Sequence, residues 1–235
     1  MDDRDPGSRI ALALDVSDLD TAKTLIERTR EHVGTFKVGL ELYTAVGPAA
    51  VHAVHAAGAK CFLDLKLHDI PATMGRAVSQ AASMGVSYLT VHCTAGLDSL
   101  HQANANVGSM RLLAVTVLTS LDEAALDAIG MSGGPRNATS RLATLAWDAG
   151  LRGFVTSGHE CALLRTAFGE EAFLVTPGVR AAGSNIDDQK RVMTPADAIA
   201  AGADLLVVGR PIRNASDPAK AAAEIARQVR LALRQ

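Results

Sequence analysis

Lys60-Cys61-Phe62-Leu63-Asp64-Leu65-Lys66-Leu67-His68-Asp69, followed at once by Ile70-Pro71, sets two opposite charges inside an apolar run. In an extended chain alternate residues share a face. Asp64 and Lys66 therefore point one way, and Leu63, Leu65 and Leu67 the other. A leucine face of this kind calls for a packed layer of helices. The charged face then looks into a barrel interior or onto a ligand, because a charge in a strand is costly to bury unless it is paired or used.

Outward from this stretch, short β-rich runs alternate with alanine-rich helical patterns. Strands are expected over 9–16, 35–40, 59–67, 88–92, 112–118, 153–157, 173–177 and 204–209, and helices over 18–33, 43–57, 71–84 and 217–233 among others. Gly34, Gly58, Gly85, Gly150 and Gly202 fall just past helix ends, where a left-handed cap is expected. Strict alternation implies a parallel sheet covered by helices. Eight such units in 235 residues fit a single (β/α)8 TIM barrel of α/β class better than an open sheet. Val16 is followed by Ser17-Asp18-Leu19-Asp20, which is no glycine-rich dinucleotide turn. Residues 9–235 read as one catalytic barrel domain behind a flexible tail over 1–8. Two stretches are irregular, 132–137 and 180–193, the second with Gly183 as a candidate hinge.

Composition narrows the partners. A net charge of −2 leaves no footprint for nucleic acid or an anionic membrane. Aromatics are 3% of the chain, so the core must be built from Ala, Val, Leu and Ile. Cys61, Cys93 and Cys161 are odd in number and far apart, which fits free buried thiols in a reducing compartment. No apolar run approaches the ~18 residues of a membrane span, and the polar start has no signal-peptide core. A cytoplasmic protein is expected.

Barrel chemistry sits at the carboxyl ends of the strands. On the first strand Ala11, Ala13 and Asp15 share a face; on the second, Lys37 and Gly39; on the third, Asp64 and Lys66. These strands are neighbours, so Asp15, Lys37, Asp64 and Lys66 are expected to form one cluster of alternating sign, with Asp69 on the loop beyond. The plain alternative is an ion-pair network that only fills the barrel. Four charges at the catalytic end of three consecutive strands point instead to a functional role. An ammonium between carboxylates stays protonated and can donate to a developing carbanion. Lys66 is the better-placed donor, while Lys37 can bind substrate and orient Asp64. No Ser, Cys or His sits in an evident nucleophile turn.

Barrels commonly hold phosphate with the loops after strands seven and eight. Here those ends read Thr176-Pro177-Gly178-Val179-Arg180 and Val207-Val208-Gly209-Arg210-Pro211. Gly209 lets a phosphate oxygen approach the backbone N–H, and Arg210 offers a bidentate contact. Arg180 and Gln189 add a cation and a neutral donor. Among other polar residues, His52 and His55 read as a half-exposed helix face, for want of a third metal ligand. His68 reads as packing or loop-orienting; His92 and Cys93, at the end of the fourth strand, read as core or as support behind the site, and Trp147 reads as packing.

Asp64-x-Lys66-x-x-Asp69-Ile70-Pro71, with Lys37-Val38-Gly39 before it and the Pro-Gly-Val-Arg and Gly-Arg-Pro segments after it, closely resembles the bacterial-type orotidine 5′-phosphate decarboxylase family. The order and spacing agree from about Ile10 to the last helix. The resemblance implies a cofactor-free and metal-free homodimeric barrel that makes UMP and CO2 from orotidine 5′-phosphate in pyrimidine biosynthesis. It implies that Lys66 protonates C6, that Asp64 stands against the departing carboxylate, and that Lys37 lies between Asp64 and the ribose. Asp15 would contact the ribose, and Thr119, at the end of the fifth strand, the base. Asp69 and Thr73 would reach into the partner's site, while Arg180, Gln189, Gly209 and Arg210 would grip the phosphate and 180–193 close over it. Ala72 departs from the family, where Asn is frequent.

A sister group of hexulose phosphate synthases and keto-gulonate phosphate decarboxylases is similar in barrel and Asp-x-Lys-x-x-Asp motif. Those enzymes use Mg²⁺ and carry Glu where this chain has Lys37. A carboxylate there helps complete an oxygen-rich Mg²⁺ site, and an ammonium repels the metal. A third alternative is a catalytically dead barrel that binds nucleotide as a sensor; keeping Lys66 speaks against it.

Overall fold

The computed structural model describes residues 5–180 and 193–234. Eight parallel strands close into a barrel in sequence order: β1 (Ile10–Ala13), β2 (Thr35–Gly39), β3 (Lys60–Leu67), β4 (Tyr88–His92), β5 (Arg111–Val115), β6 (Gly153–Val155), β7 (Phe173–Thr176) and β8 (Leu205–Val208). The TIM barrel expected from the alternating pattern is the observed architecture. Several strands end earlier than expected. β1 stops at Ala13, which leaves Asp15 on the following loop, and β5 stops at Val115, which leaves Thr119 four residues past the strand.

Two apolar layers explain the alternation along the strands. Ala11, Ala13, Phe62, Leu113, Val175, Leu205 and Val207 pack inside the barrel. Leu12, Phe36, Val38, Leu63, Leu206 and Val208 point outward and pack with the helices. Each fully buried aliphatic side chain is worth about 2 kcal/mol over an exposed one, so a one-residue slip on any strand would exchange the two layers at large cost.

The helices start where local chemistry permits. Asp18 accepts from the Thr21 N–H at 2.8 Å and caps Leu19–Thr29. Pro71 and Pro218 open Pro71–Ser83 and Pro218–Ala232, positions where a missing N–H costs nothing. The helix expected over 43–57 is two, Leu40–Val46 and Ala49–Ala56, broken where Gly47 takes φ +58° before Pro48. Four of the five expected glycine caps have positive φ: Gly58, Gly85, Gly150 and Gly202. Gly34 does not; its N–H donates to the Gly7 carbonyl at 2.8 Å.

That bond belongs to a correction at the N-terminus. Residues 5–8 do not behave as the expected flexible tail. Pro6–Arg9 form a 3-10 turn capped by the Asp5 carboxylate, and Pro6 and Gly7 are buried. Residues 1–4 lie outside the described residues. The stretch 132–137 is also less irregular than expected, because the helix Gly134–Asp148 begins inside it with Pro135 in its first turn. No helix among the described residues is long and apolar enough to cross a membrane.

Candidate active site

The carboxyl ends of the strands surround a cavity of about 440 Å³. Register explains why charges meet there. Lys37 pairs with Ala13 on β1 and Phe62 on β3, and Gly39 pairs with Asp64. Alternation then carries all of them to the inner face, Lys37 in register with Ala13 and Phe62, and Gly39 and Asp64 two residues nearer the carboxyl ends.

The result is a chain of alternating charge. Lys37 Nζ donates to Asp15 Oδ1 at 3.0 Å and lies 3.3 Å from Asp64 Oδ2. Lys66 Nζ donates to Asp64 Oδ1 at 2.8 Å. Thr90 on β4 donates its hydroxyl to the same oxygen at 2.9 Å. Arg213 extends the chain at the other end, 3.4 Å from Asp15 Oδ2 and hydrogen-bonded to the Asp15 carbonyl. Lys37 and Asp64 are buried, whereas Lys66 is only partly covered and faces the cavity.

Burial would disfavour each charge in the centre of this chain, and partners reverse that. Burial alone would lower the Lys37 pKa, but the Asp64 and Asp15 carboxylates outweigh it and hold the ammonium above its ordinary value. Burial would likewise raise Asp64; Lys37 and Lys66 outweigh it, with hydrogen bonds from Lys66 and Thr90, and keep this carboxyl below the usual range. Both groups are charged at neutral pH. His92 stands on the edge of the cluster, its ring 5.9 Å from that of His68. Burial above all, with the neighbouring His68 ring and Lys66 ammonium outweighing the Asp64 carboxylate, pushes its pKa down, so a neutral imidazole is favoured.

Of the other residues singled out in the sequence, Thr119, Arg180, Gly209 and Arg210 line the cavity. The Arg180 N–H donates to the Met193 carbonyl at 2.9 Å within the Val179–Met193 bridge, which joins the two ends of the polar segment after β7. Gly183 and Gln189 in that segment lie outside the described residues. Asp69 and Thr73 are not brought to the cavity of their own chain. Asp69 is exposed, and its carboxylate accepts from the Ile70 N–H at 2.7 Å. Thr73 is half-buried on the helix Pro71–Ser83.

Two members of the cluster were not legible beforehand. Thr90 is the only hydroxyl-bearing aliphatic residue in Tyr88-Leu89-Thr90-Val91-His92, a weak signal that it faces an acceptor. Arg213 lies one turn past Arg210, and only the fold turns it towards Asp15. Gly130-Met131-Ser132-Gly133-Gly134 has the spacing of a nucleophile elbow. Ser132, however, is exposed between the helices Glu123–Ala128 and Gly134–Asp148, does not follow a strand, and does not line the cavity. The three thiols are buried and free, and burial pushes Cys61 and Cys93 up to about 12, which keeps them unreactive. No group of three or more metal-ligating side chains occurs among the described residues, His52 and His55 included.

A parallel barrel with a charged, acid–base cavity at its carboxyl face is the architecture of a TIM-barrel enzyme site. Comparison narrows the class. A family model described as "Orotidine 5'-phosphate decarboxylase / HUMPS family" matches residues 8–225, and the chain belongs to that family. Orotidine 5'-phosphate decarboxylase of Thermobifida fusca is 52% identical over 221 residues, covering 94% of this chain and 95% of the relative. The protein of the same name from Anaeromyxobacter sp. (strain K) is 52% identical over 222 residues, covering 94% and 98%. The crystal structure of orotidine 5'-phosphate decarboxylase from Lactobacillus acidophilus superposes with a TM-score of 0.83 at 30% identity, over 94% of this chain and 99% of that one.

Proposed function

We propose that the protein decarboxylates orotidine 5′-phosphate to UMP and CO2 in pyrimidine biosynthesis, without metal or cofactor. The observation that carries this reading is the position of Lys66: an ammonium at the cavity wall, 2.8 Å from the buried Asp64 carboxylate. In the reaction the bond from C6 to the carboxylate breaks and its electron pair stays on C6. Lys66 stabilises that pair electrostatically and then transfers a proton from Nζ to C6. The leaving CO2 departs beside Asp64, and Lys66 regains a proton from solvent. Enzymes lower barriers by ~8–23 kcal/mol, and an ammonium already held in place by the Asp64 carboxylate is well suited to supply a large part.

Asp15 and Lys37 are assigned to the ribose, Thr119 to the base, and Arg180, Gln189, Gly209 and Arg210 to the phosphate. A Cβ at Gly209 would stand 3.6 Å from Ala13 Cβ and 3.8 Å from Asp15 Oδ2, so its absence leaves open space beside the cluster rather than relieving a clash. Asp69 and Thr73 are assigned to the site of a second copy in a homodimer. Support comes from their position outside the cavity and from the exposed side chains of Leu40, Ile70 and Leu97, at 56%, 67% and 39%, which follow β2, β3 and β4. Exposed apolar groups gathered at one rim favour burial against another protein surface.

The competing reading is Mg²⁺-dependent sugar-phosphate chemistry on the same Asp-x-Lys-x-x-Asp barrel. Lys37 speaks against it here, because its ammonium stands between the Asp15 and Asp64 carboxylates that a divalent cation would need. One assay separates the readings: the absorbance change of orotidine 5′-phosphate followed with EDTA present. Turnover is expected. Turnover that needs added Mg²⁺ and a sugar phosphate would overturn the reading, and so would UMP binding without decarboxylation.

A further inference from the structure

We propose that Thr90 is a positioning residue of this site: its hydroxyl ties the backbone of Lys66 to the carboxylate of Asp64 and thereby sets where the Lys66 ammonium stands. Lys66 has φ +50°, and it is the only non-glycine residue with positive φ among the described residues. A lysine is disfavoured there by contact of its Cβ with the backbone, so the surrounding structure must hold it. Pairing with β4 does not do so in the ordinary way. Leu63 pairs with Leu89 and Leu67 with Val91, four steps along β3 against two along β4. The extra length is a bulge, and Asp64, Leu65 and Lys66 lie within it.

The Lys66 N–H has a side-chain acceptor within this bulge. It donates to Thr90 Oγ1 at 2.8 Å. Because a backbone amide can only donate, the hydroxyl is the acceptor in that bond, and its own proton is free for Asp64 Oδ1 at 2.9 Å. Asp64, held charged, can only accept. The direction of both bonds is thus fixed by chemistry, and the hydroxyl of a residue only 1% exposed links the Lys66 backbone to the Asp64 carboxylate. Asp64 Oδ1 then receives Thr90 and Lys66 Nζ together. Thr90 does not line the cavity and so acts through its neighbours.

The kinetic consequence rests on the decarboxylase reading; the structural consequence does not. Thr90→Val keeps the shape and removes the hydroxyl, whereas Thr90→Ser keeps the hydroxyl. In Thr90→Val, kcat is expected to fall by about ten- to a hundredfold with KM within about threefold, the size of effect that small misplacement of a reacting group produces. Hydrogen exchange at the Lys66 amide should speed up at least tenfold. Thr90→Ser should stay within about threefold of the parent in both measurements. If Thr90→Val does not fold, Thr90→Ala removes the same hydroxyl without branching and is read in the same way. A hydroxyl-free variant with normal kcat, a serine variant as slow as the valine one, or unchanged Lys66 exchange overturns the proposal. Should the parent protein not decarboxylate at all, the decarboxylase reading falls, and amide exchange alone decides the role of Thr90.

Discussion

The Lys37 ammonium lies 3.3 Å from Asp64 Oδ2, and each of these side chains is 11% exposed. Two charges so placed are held by one another, and removing one leaves the other buried without full compensation. Breaking such a pair costs about 3–5 kcal/mol, but Asp64 keeps Lys66 and Thr90. Lys37→Met is therefore expected to destabilise the fold by about 2 kcal/mol, below that range. A double-mutant cycle with Asp64→Asn, read by urea unfolding, should show coupling above about 0.5 kcal/mol. Additive effects of the two substitutions would mean that the contact carries no net stabilisation.

The same pair sets a pH window. The Asp64 carboxyl is held below its ordinary value, so its contribution is present above the unfolded pKa of about 3.9 and is lost as pH falls through the folded value. Lys37 is held above its ordinary value, so its contribution is present below about 10.4 and is lost as pH rises through the folded value. Between those limits neither group adds slope. Other lowered carboxyls, Asp18, Asp217 and Glu224, also steepen the acid side. The comparison with Asp64→Asn isolates the buried one: its stability should fall less steeply than the parent's below about pH 4. Parallel acid limbs would show that Asp64 is not held low by its neighbours.

Gly39 leaves room that the charged chain uses. A Cβ there would stand 3.0 Å from Lys37 Nζ and 3.2 Å from Asp15 Oδ1. Both neighbours are the tips of side chains and can give way, so Gly39→Ala should fold with a melting temperature within a few degrees of the parent. The displaced ammonium, however, loses its fit between two carboxylates. A fall in kcat/KM of about tenfold is expected for alanine and more for valine, since misplacement by 1 Å can cost a hundredfold. Unchanged kcat/KM in Gly39→Ala would mean that the Lys37–Asp15 contact tolerates movement.

What was legible in the sequence followed from periodicity. The alternation of Leu63, Leu65 and Leu67 against Asp64 and Lys66 placed the charges inward, and the barrel followed from the regular return of strand and helix signals. Features set by three-dimensional neighbours were not legible. The bulge at Lys66 depends on how β3 pairs with β4, which no local pattern records. The bonds of Thr90 to Asp64 and of Arg213 to Asp15 join residues 26 and 198 apart in sequence, respectively. The break at Gly47-Pro48 was visible as a residue pair, but the alanine-rich pattern on both sides hid it. At the N-terminus, polar residues suggested a tail, whereas burial of Pro6 and Gly7 against the barrel base outweighs composition.

Asp69 gives the sharpest test of the proposed dimer. It lies three residues past Lys66, yet it is exposed and does not line the cavity of its own chain. If it serves the site of a second copy, each site combines Lys66 of one protomer with Asp69 of the other. Lys66→Ala and Asp69→Asn should then each inactivate both sites of a homodimer. In a mixed dimer, the protomer that retains Lys66 receives an intact Asp69 from its partner, so one of its two sites is complete. Random reassortment makes half of the dimers mixed, and activity should recover to about a quarter of the parent value at equal total protein. The measurement is decarboxylation before and after the two inactive variants are mixed, dissociated and allowed to reassociate. Recovery identifies a shared site. If mass analysis shows mixed dimers but activity stays at the level of the separate variants, Asp69 does not act across an interface.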